Sequence, residues 1–377
     1  YPRARVSAGR ISELLREEPS IHNEAIDTEI HSDKIGTLEF DHVSFTYQHT
    51  KKPVLHDITF SAKRGETVAI IGSTGCGKST LIQLIPRFYD VTEGSIKIDG
   101  VDVRNYDLET LRNKIGFIPQ KTILFSGTIA DNMRFGKHDA NEKELVEAAK
   151  VAQAYDFIMD KPDQFDEMVY EGGTNMSGGQ KQRMSIARAV IRNPEIYIFD
   201  DSFSALDFKT DATLRAQLKE ITTDSIVVIV AQRISSIMDA NKIIVLDNGE
   251  IVGYAYAGPL HERPAYDWAV ETSIYVKHDK KGQKIGRALY DALEVQLHRQ
   301  NIVNVNACIA SPAVEDAYLT RDSILFHEKL GYQMVGEFHQ CGYKFDTWYN
   351  MVWMEKMIGE HKVPQPQVIW FSQLPEA

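Results

Sequence analysis

The sequence predicts an α/β protein with two domains, on three observations. The chain has 377 residues, more than one hydrophobic core usually supports. Short β-rich segments begin at Thr37 and alternate with helical patterns through Ile251, as in a largely parallel sheet covered by helices. After Gly253 aromatic residues become dense and the alternation restarts. We therefore expect a helix and linker at 1–36, one α/β domain at 37–253, a second at 254–358 and an irregular tail at 359–377.

Composition excludes several classes of protein. Hydrophobic residues make up 43% and charged residues 25% of the chain, as in a globular and not a disordered or fibrous protein. The net charge of -11 disfavours a nucleic-acid-binding surface. Cys76, Cys308 and Cys341 lack CxxC spacing, so we expect free thiols and a reducing compartment. No apolar run reaches the roughly 18 residues of a membrane helix, and the first residue is Tyr1, so we expect a fragment.

The strongest motif follows the apolar strand Val68–Ile71 and matches GxxxxGK[ST]. Its glycines allow backbone amides to surround phosphate oxygens, Lys78 supplies positive charge, and Ser79 is a Mg²⁺ ligand. The positive end of the next helix adds to the attraction. The predicted ATP cradle consists of Gly72, Ser73, Thr74, Gly75, Cys76, Gly77, Lys78, Ser79 and Thr80.

A second apolar strand, Ile196–Phe199, ends in Asp200 and Asp201. This order after the phosphate loop places a carboxylate at the same edge of a parallel sheet. We expect Asp200 to hold Mg²⁺ through water.

A third motif lies between these two, at the start of a helical run from Gln182 to Ile191. It places a serine and two glycines at the helix start, which makes another anion cradle. Because the first loop already serves this chain's own nucleotide, the motif indicates a second nucleotide bound by a partner. Its residues are Ser177, Gly178, Gly179 and Gln180.

From about Thr37 to Ile251 the chain resembles the nucleotide-binding domain of ABC exporters. The resemblance implies that Tyr47 stacks on adenine and that Gln120 senses Mg²⁺ and the transmembrane domain. It also implies that Ser177–Gln180 is the signature motif, that Ser204–Asp207 is the D-loop, and that Glu171 contacts the coupling helices. Residues 1–15 resemble the segment after the last membrane helix, so transmembrane domains are expected partners.

Two positions depart from that family. The family's catalytic glutamate is replaced by Asp201, one methylene shorter. Its switch histidine is replaced by Gln232, which cannot become a cation. With the phosphate cradle kept, these two departures resemble the pattern of the degenerate half of a heterodimeric multidrug exporter. In such an exporter the partner subunit carries the competent glutamate and histidine. An alternative is that Asp201 still acts as a slow base.

The last third has its own strand, Gly-containing turn and helix, at Glu271–Val276 and beyond. From about 250 to 358 it resembles GNAT acetyltransferases, especially the phosphinothricin-acetyltransferase branch. The resemblance implies acetyl-CoA as cofactor, with Glu271 as a base acting through water and His327 as a supporting polar residue. The alternative for both is a hydrogen-bonded polar residue of a strand or helix with only a structural role. It implies pantetheine contacts at Ile274 and Val276, and a pyrophosphate loop of Lys281, Gly282, Gln283, Lys284 and Gly286.

The GNAT pattern is incomplete. Lys284 replaces the first glycine of the pyrophosphate motif, and no initial strand and helix pair precedes Lys242. The hairpin Lys242–Ala257 serves both families, and the expected acceptor wall is missing. We therefore expect weak or absent acetyl transfer and an open core on that side.

The leading interpretation is an ATP-binding fragment of an exporter at the cytoplasmic face of the membrane, with weak intrinsic hydrolysis. The alternatives are an acetyltransferase with an ATP-binding regulatory domain, and a chimera with no single function.

Overall fold

The computed structural model describes residues 2–16, 19–23, 34–48, 50–231, 240–261, 263–316, 319–344 and 346–369. Helices and strands alternate through most of them. In chain order the helices are α1 Pro2–Arg16, α2 Lys78–Gln83, α3 Leu108–Asn113, α4 Ile129–Arg134, α5 Glu142–Val151, α6 Tyr155–Met159, α7 Gly178–Arg192, α8 Phe208–Ile221, α9 Ile285–Arg299 and α10 Asp322–Lys329.

Among the described residues, the strands form three sheets. In chain order they are β1 Thr37–Phe45, β2 Leu55–Lys63, β3 Thr67–Ile71, β4 Glu93–Ile98, β5 Val101–Asp102, β6 Ile115–Ile118, β7 Gly127–Thr128, β8 Met168–Val169, β9 Ile196–Asp200, β10 Ile226–Val230, β11 Lys242–Asp247, β12 Glu250–Pro259, β13 Ala269–Val276, β14 Asn304–Ser311, β15 Gln333–Lys344 and β16 Thr347–Met357.

The largest sheet has ten strands in the order β15-β16-β14-β13-β12-β11-β3-β10-β9-β6. Strands β11, β3, β10, β9 and β6 are parallel neighbours. β12 pairs antiparallel with both β11 and β13. The predicted domain boundary at Gly253 therefore falls inside a strand, and the sheet continues across it.

Two hydrophobic cores cover opposite faces of this sheet. Strand β10 shows why: Val228 lies in one core and Val227 in the other, because successive strand residues point to opposite faces. The four-stranded sheet β2-β1-β4-β5 and α2 pack on one face. On the other face, one continuous core includes residues of α5, α7 and α9, Leu293 among them. This core crosses the predicted domain boundary at Gly253.

The end of the ten-stranded sheet beyond β14 is much less covered. Every residue of β15 is exposed. Further into the sheet, Tyr256 on β12 and Tyr275 on β13 are 39% and 48% exposed. The incomplete acceptor side stays a prediction. Among the described residues, no helix is long and apolar enough to cross a membrane.

Candidate functional site

The phosphate loop joins β3 to α2, and its shape depends on glycines. Gly72 has φ +153°, and a Cβ there would lie 2.1 Å from the Leu246 carbonyl oxygen. Gly77 has φ +104°, and a Cβ there would lie 2.9 Å from Leu55. Gly75 also has positive φ, but a Cβ would meet nothing within 4 Å. Any side chain at Gly75 would therefore extend into the open space beside the loop.

Lys78 is the first residue of α2 and only 7% exposed. Its Nζ donates hydrogen bonds to the carbonyl oxygens of Gly72 and Ser73, each at 2.8 Å, and lies 3.7 Å from the Cys76 sulfur. The backbone of the loop therefore surrounds the ammonium group of Lys78. Cys76 itself is buried and free, as predicted.

The acidic pair at the end of β9 meets the phosphate loop. Ser79 Oγ donates to Asp200 Oδ1 at 3.1 Å, and Gln120 Nε2 donates to Asp201 Oδ2 at 3.1 Å. Burial raises the pKa of the Asp200 carboxyl above its usual value, and the bond from Ser79 opposes that shift. Hydroxyl and carboxylate oxygens are the ligands that Mg²⁺ prefers. Gln232, the predicted switch position, lies outside the described residues.

A cavity of about 240 Å³ connects these groups. Sequence reasoning missed two of its residues, Val54 and Val230, because apolar side chains in strands and loops carry no motif signal. Tyr47 is not among the lining residues, but its hydroxyl lies 2.9 Å from Thr80 Oγ1 and its ring packs edge-on against Phe45 and Tyr89. The lining residues are Val54, Thr74, Gly75, Gly77, Lys78, Ser79, Thr80, Gln120, Asp200, Asp201 and Val230.

The predicted signature residues lie elsewhere, at the start of α7. Ser177 is the N-cap and forms a capping box with Gln180, so Ser177 Oγ accepts from Gln180 N at 3.2 Å and Gln180 Oε1 from Ser177 N at 3.0 Å. Ser177 and Gly178 are exposed. None of the four residues lines the phosphate-loop cavity. The exposed Ser177 and Gly178 are accessible to another molecule.

Two other predicted elements are helix starts or turns at the surface. Asp207, the last residue of the predicted D-loop, caps α8 by accepting from Thr210 N at 3.0 Å. That bond lowers the pKa of the Asp207 carboxyl. Glu171 begins a short 3₁₀ turn and is exposed.

The turn of the β11–β12 hairpin rests on the phosphate loop. Gly249 N donates to the Cys76 carbonyl at 3.0 Å, and the Gly249 carbonyl accepts from His56 N at 2.8 Å. The Asn248-Gly249 dipeptide predicts a tight turn, but nothing local indicates which loop that turn contacts. The hairpin therefore contacts the predicted phosphate cradle directly at Cys76.

The second predicted anion loop precedes α9. Gly282 has φ +81° and Lys284 φ +64°, so Lys284 adopts the left-handed conformation that glycine usually supplies. Gly286 lies inside α9 and not in the loop. The Lys281 ammonium pairs with Asp322 at 3.1 Å. The loop therefore keeps a glycine-like backbone at Lys284.

The predicted base and the two predicted pantetheine contacts lie on β13. Glu271 is half-buried and pairs in register with Gly258 of β12 and Asn306 of β14. Its charge, together with burial, raises the pKa of the Cys308 thiol, burial being the larger cause. Ile274 and Val276 follow on the same strand and are also half-buried. Strand β13 thus holds all three predicted residues, with Glu271 on the opposite face from Ile274 and Val276.

His327 is a satisfied core residue. It is 2% exposed; its Nδ1 donates to the Ser323 carbonyl at 2.7 Å, and its Nε2 then accepts from the Tyr290 hydroxyl at 2.9 Å. Burial lowers the pKa of this imidazole, against the smaller effect of the Ser323 bond. The neutral form is therefore the native one.

Acidification should destabilise the fold through His327. Because the folded pKa is depressed, the unfolded chain binds the proton more readily, and stability falls as pH drops through the unfolded value near 6.5. One proton accounts for at most about 1.4 kcal/mol per pH unit. Denaturant unfolding of the parent and of His327→Gln between pH 7.5 and 5 should show a smaller slope in the variant. His339→Gln, at an exposed position, should keep the parent slope; equal slopes in all three would contradict the assignment.

Family models match two adjoining segments of the chain. Residues 55–204 match the ABC transporter model, and residues 204–353 match the acetyltransferase (GNAT) domain model. The second match begins upstream of the predicted boundary at 254, within the D-loop segment. The two matches meet in the part of the chain that forms the continuous sheet.

Individual proteins resemble the first segment. An uncharacterized ABC transporter ATP-binding protein of Mycobacterium tuberculosis is 47% identical over 256 residues, 67% of this chain and 44% of that protein. A candidate multidrug export ATP-binding/permease protein of Bacillus subtilis is 47% identical over 224 residues, 59% of this chain and 39% of that protein. The structure of a bacterial Atm1-family ABC exporter with ATP bound has a TM-score of 0.62 and 33% identity, covering 67% of this chain and 44% of that one.

This chain spans less than half the length of these relatives. The similarity nevertheless includes the phosphate loop, the acidic pair and the signature residues, all of which fall inside 55–204. The chain therefore contains one segment that matches the ABC transporter model and a second that matches the GNAT acetyltransferase model, within one mixed α/β fold.

Proposed function

We propose that this chain is an ATP-binding subunit of an exporter, that it binds MgATP between β3 and β9, and that it hydrolyses ATP very slowly. The observation that carries the proposal is the contact between Ser79 Oγ and Asp200 beside the Lys78 ammonium. Ser79 and Asp200, which suit Mg²⁺, therefore face the same cavity as Lys78, which suits phosphate. Transmembrane domains are the proposed partners, which would hold the chain at the cytoplasmic side of a membrane.

The residues present suit MgATP chemically. Ser79 and Asp200 supply the oxygen donors for Mg²⁺, and the loop's backbone amides and Lys78 suit the phosphates. Space beside Gly75 is open, as phosphate approach requires. When bound, Mg²⁺ would neutralise phosphate charge.

Slow hydrolysis follows from the residues around Asp201. Its carboxylate accepts a hydrogen bond from Gln120, and its side chain is one methylene shorter than glutamate. A general base must come within hydrogen-bond reach of the water it activates. We infer that Asp201 holds Gln120 in place and that it polarises water poorly.

Titration of the purified chain with a fluorescent ATP analogue tests binding, and phosphate release tests hydrolysis. We expect Mg²⁺-dependent binding with turnover far below the 1 to 10³ per second that is typical of enzymes. Turnover of a few per second without a partner would refute the slow-site assignment. Absence of Mg²⁺-dependent binding would refute the site itself.

We further infer that Ser177–Gln180 completes a competent site on a partner subunit that carries the glutamate and histidine. In a reconstituted heterodimer, Ser177→Ala should reduce total ATP hydrolysis at least about 100-fold, as loss of a transition-state donor does. Asp201→Asn should change it less than about twofold, because the partner performs the chemistry. The reverse pattern would refute the assignment. Ser20→Ala, at an exposed position outside the predicted sites, serves as a matched substitution control.

Acetyl transfer is the second candidate function, and the left-handed backbone of Lys284 favours it. A lysine held in a glycine-like conformation keeps the loop before α9 in a shape that can approach phosphate. The resemblance supports acetyl-CoA as the ligand, with Glu271 as the base. Tyr256 and Tyr275 are exposed on the sheet face that Glu271 shares, so we infer weak transfer.

Thermal melts with acetyl-CoA test this second site. Stabilisation should grow with ligand concentration if the native state binds it, and Gly282→Val should abolish the effect because φ is +81° there. No stabilisation would refute coenzyme binding. Rapid acetylation of small amines would instead refute the inference that the acceptor side is incomplete.

A further inference from the structure

A separate cavity of about 170 Å³ lies where α9 crosses the ends of β12 and β13. Its walls are mostly apolar, and Asn241, which precedes β11, also lines it. Apart from Val368, all its lining residues fall inside the segment that matches the GNAT model. The apolar wall residues are Ala257, Val270, Leu293, Leu297 and Ile302.

Gln296 is the polar residue that makes this cavity unusual. It lines the cavity and is only 3% exposed. Its Oε1 accepts from Arg299 Nη1 at 3.3 Å, but among the described residues its Nε2 has no hydrogen-bond partner. A buried amide donor without a partner is costly, and most native proteins satisfy such groups. The N–H groups of Gln296 Nε2 therefore need a hydrogen-bond acceptor, which a molecule inside the cavity would supply.

The size and polarity of the cavity restrict what could supply that acceptor. An apolar cavity of about 150 Å³ holds a molecule the size of benzene. Asp267 and Gln300 also line the space, and the Asp267 carboxylate disfavours an anionic ligand. One water could bond Gln296, but it would leave most of the apolar wall without contacts.

We propose that this cavity binds a small uncharged molecule with an apolar body of about one six-membered ring and one carbonyl oxygen that accepts from Gln296 Nε2. Ketones, esters and amides of this size are the expected class. The site is independent of ATP and coenzyme binding, since its walls contain none of the residues assigned to either.

Two probes of nearly equal shape test the proposal: cyclohexanone and methylenecyclohexane, which replaces the oxygen with a CH₂ group. Ligand-observed NMR titration of the full chain should show cyclohexanone binding at least about tenfold more tightly, as one hydrogen bond to a buried donor allows. Gln296→Leu should abolish the preference. Gln333→Leu, at an exposed position in β15, should retain it.

A second variant at Gln296 separates loss of the hydrogen-bond donor from misfolding. Gln296→Met keeps the length of the side chain without its donor, and it should behave as Gln296→Leu does. Ala257→Leu should exclude both probes by filling the cavity. Equal binding of the two probes, binding of neither, or a ketone preference that survives both Gln296 substitutions would overturn the proposal. A crystal structure with only a water on Nε2 in saturating cyclohexanone would also overturn it.

Discussion

Substitution of Lys78 by alanine should weaken MgATP binding by about 100-fold or more. Its Nζ is almost fully buried between the Gly72 and Ser73 carbonyls and faces the cavity. Hydrogen bonds from a charged donor are worth about 1.5–3 kcal/mol each, and about 1.4 kcal/mol changes an affinity tenfold. Loss of two or more such bonds to phosphate gives the expected factor.

The measurement is a titration with a fluorescent ATP analogue at fixed Mg²⁺. Lys97→Ala is the matched control, because Lys97 makes a surface ion pair with Asp41 and surface pairs contribute little. Circular dichroism of the Lys78 variant separates lost binding from lost fold. If the folded variant binds within about threefold of the parent, Lys78 is not the phosphate ligand.

Substitution of Gly249 by alanine should reduce the free energy of unfolding by about 3 kcal/mol or more. The added Cβ would lie 2.1 Å from the Val54 carbonyl oxygen, and φ is +79°. Since backbone atoms cannot move aside cheaply, the turn must shift. That shift would break the bonds from Gly249 to Cys76 and His56, so ATP binding should weaken as well.

Gly258→Ala provides the control, since a Cβ there meets nothing within 4 Å. Chemical denaturation should place its midpoint near that of the parent. The Gly249 variant should unfold at clearly lower denaturant by both circular dichroism and tryptophan fluorescence. An unchanged midpoint would show that the turn does not hold the phosphate loop as described.

The predictions that the structure bears out most directly are those of local backbone structure, which came from local motifs. The phosphate loop follows a strand and starts a helix, as Gly72–Thr80 implied, because φ-permissive glycines and the lysine are needed within a few residues of one another. Strand β9 ends at Asp200 as predicted, since a buried apolar run is readable without its neighbours. Capping by Ser177 is equally local.

Contacts between distant residues were not readable in the same way. The resemblance indicated roles for Gln120 and Asp201, but their hydrogen bond joins residues 81 apart. His327 illustrates the opposite outcome: a polar residue in a motif became a core residue, because the helix turns it toward Tyr290. Polar residue type alone does not distinguish these cases.

Local patterns in the sequence were enough to predict a phosphate loop, the acidic pair that follows it and a second anion loop near the carboxyl end. Each depends on residues within one short segment, whose backbone geometry is restricted locally. The folded chain alone shows that β12 joins β11 to β13 within one ten-stranded sheet and that the Gly249 N–H bonds the Cys76 carbonyl. Strand order and loop contacts depend on hydrogen bonds between residues far apart in sequence, which no local pattern encodes.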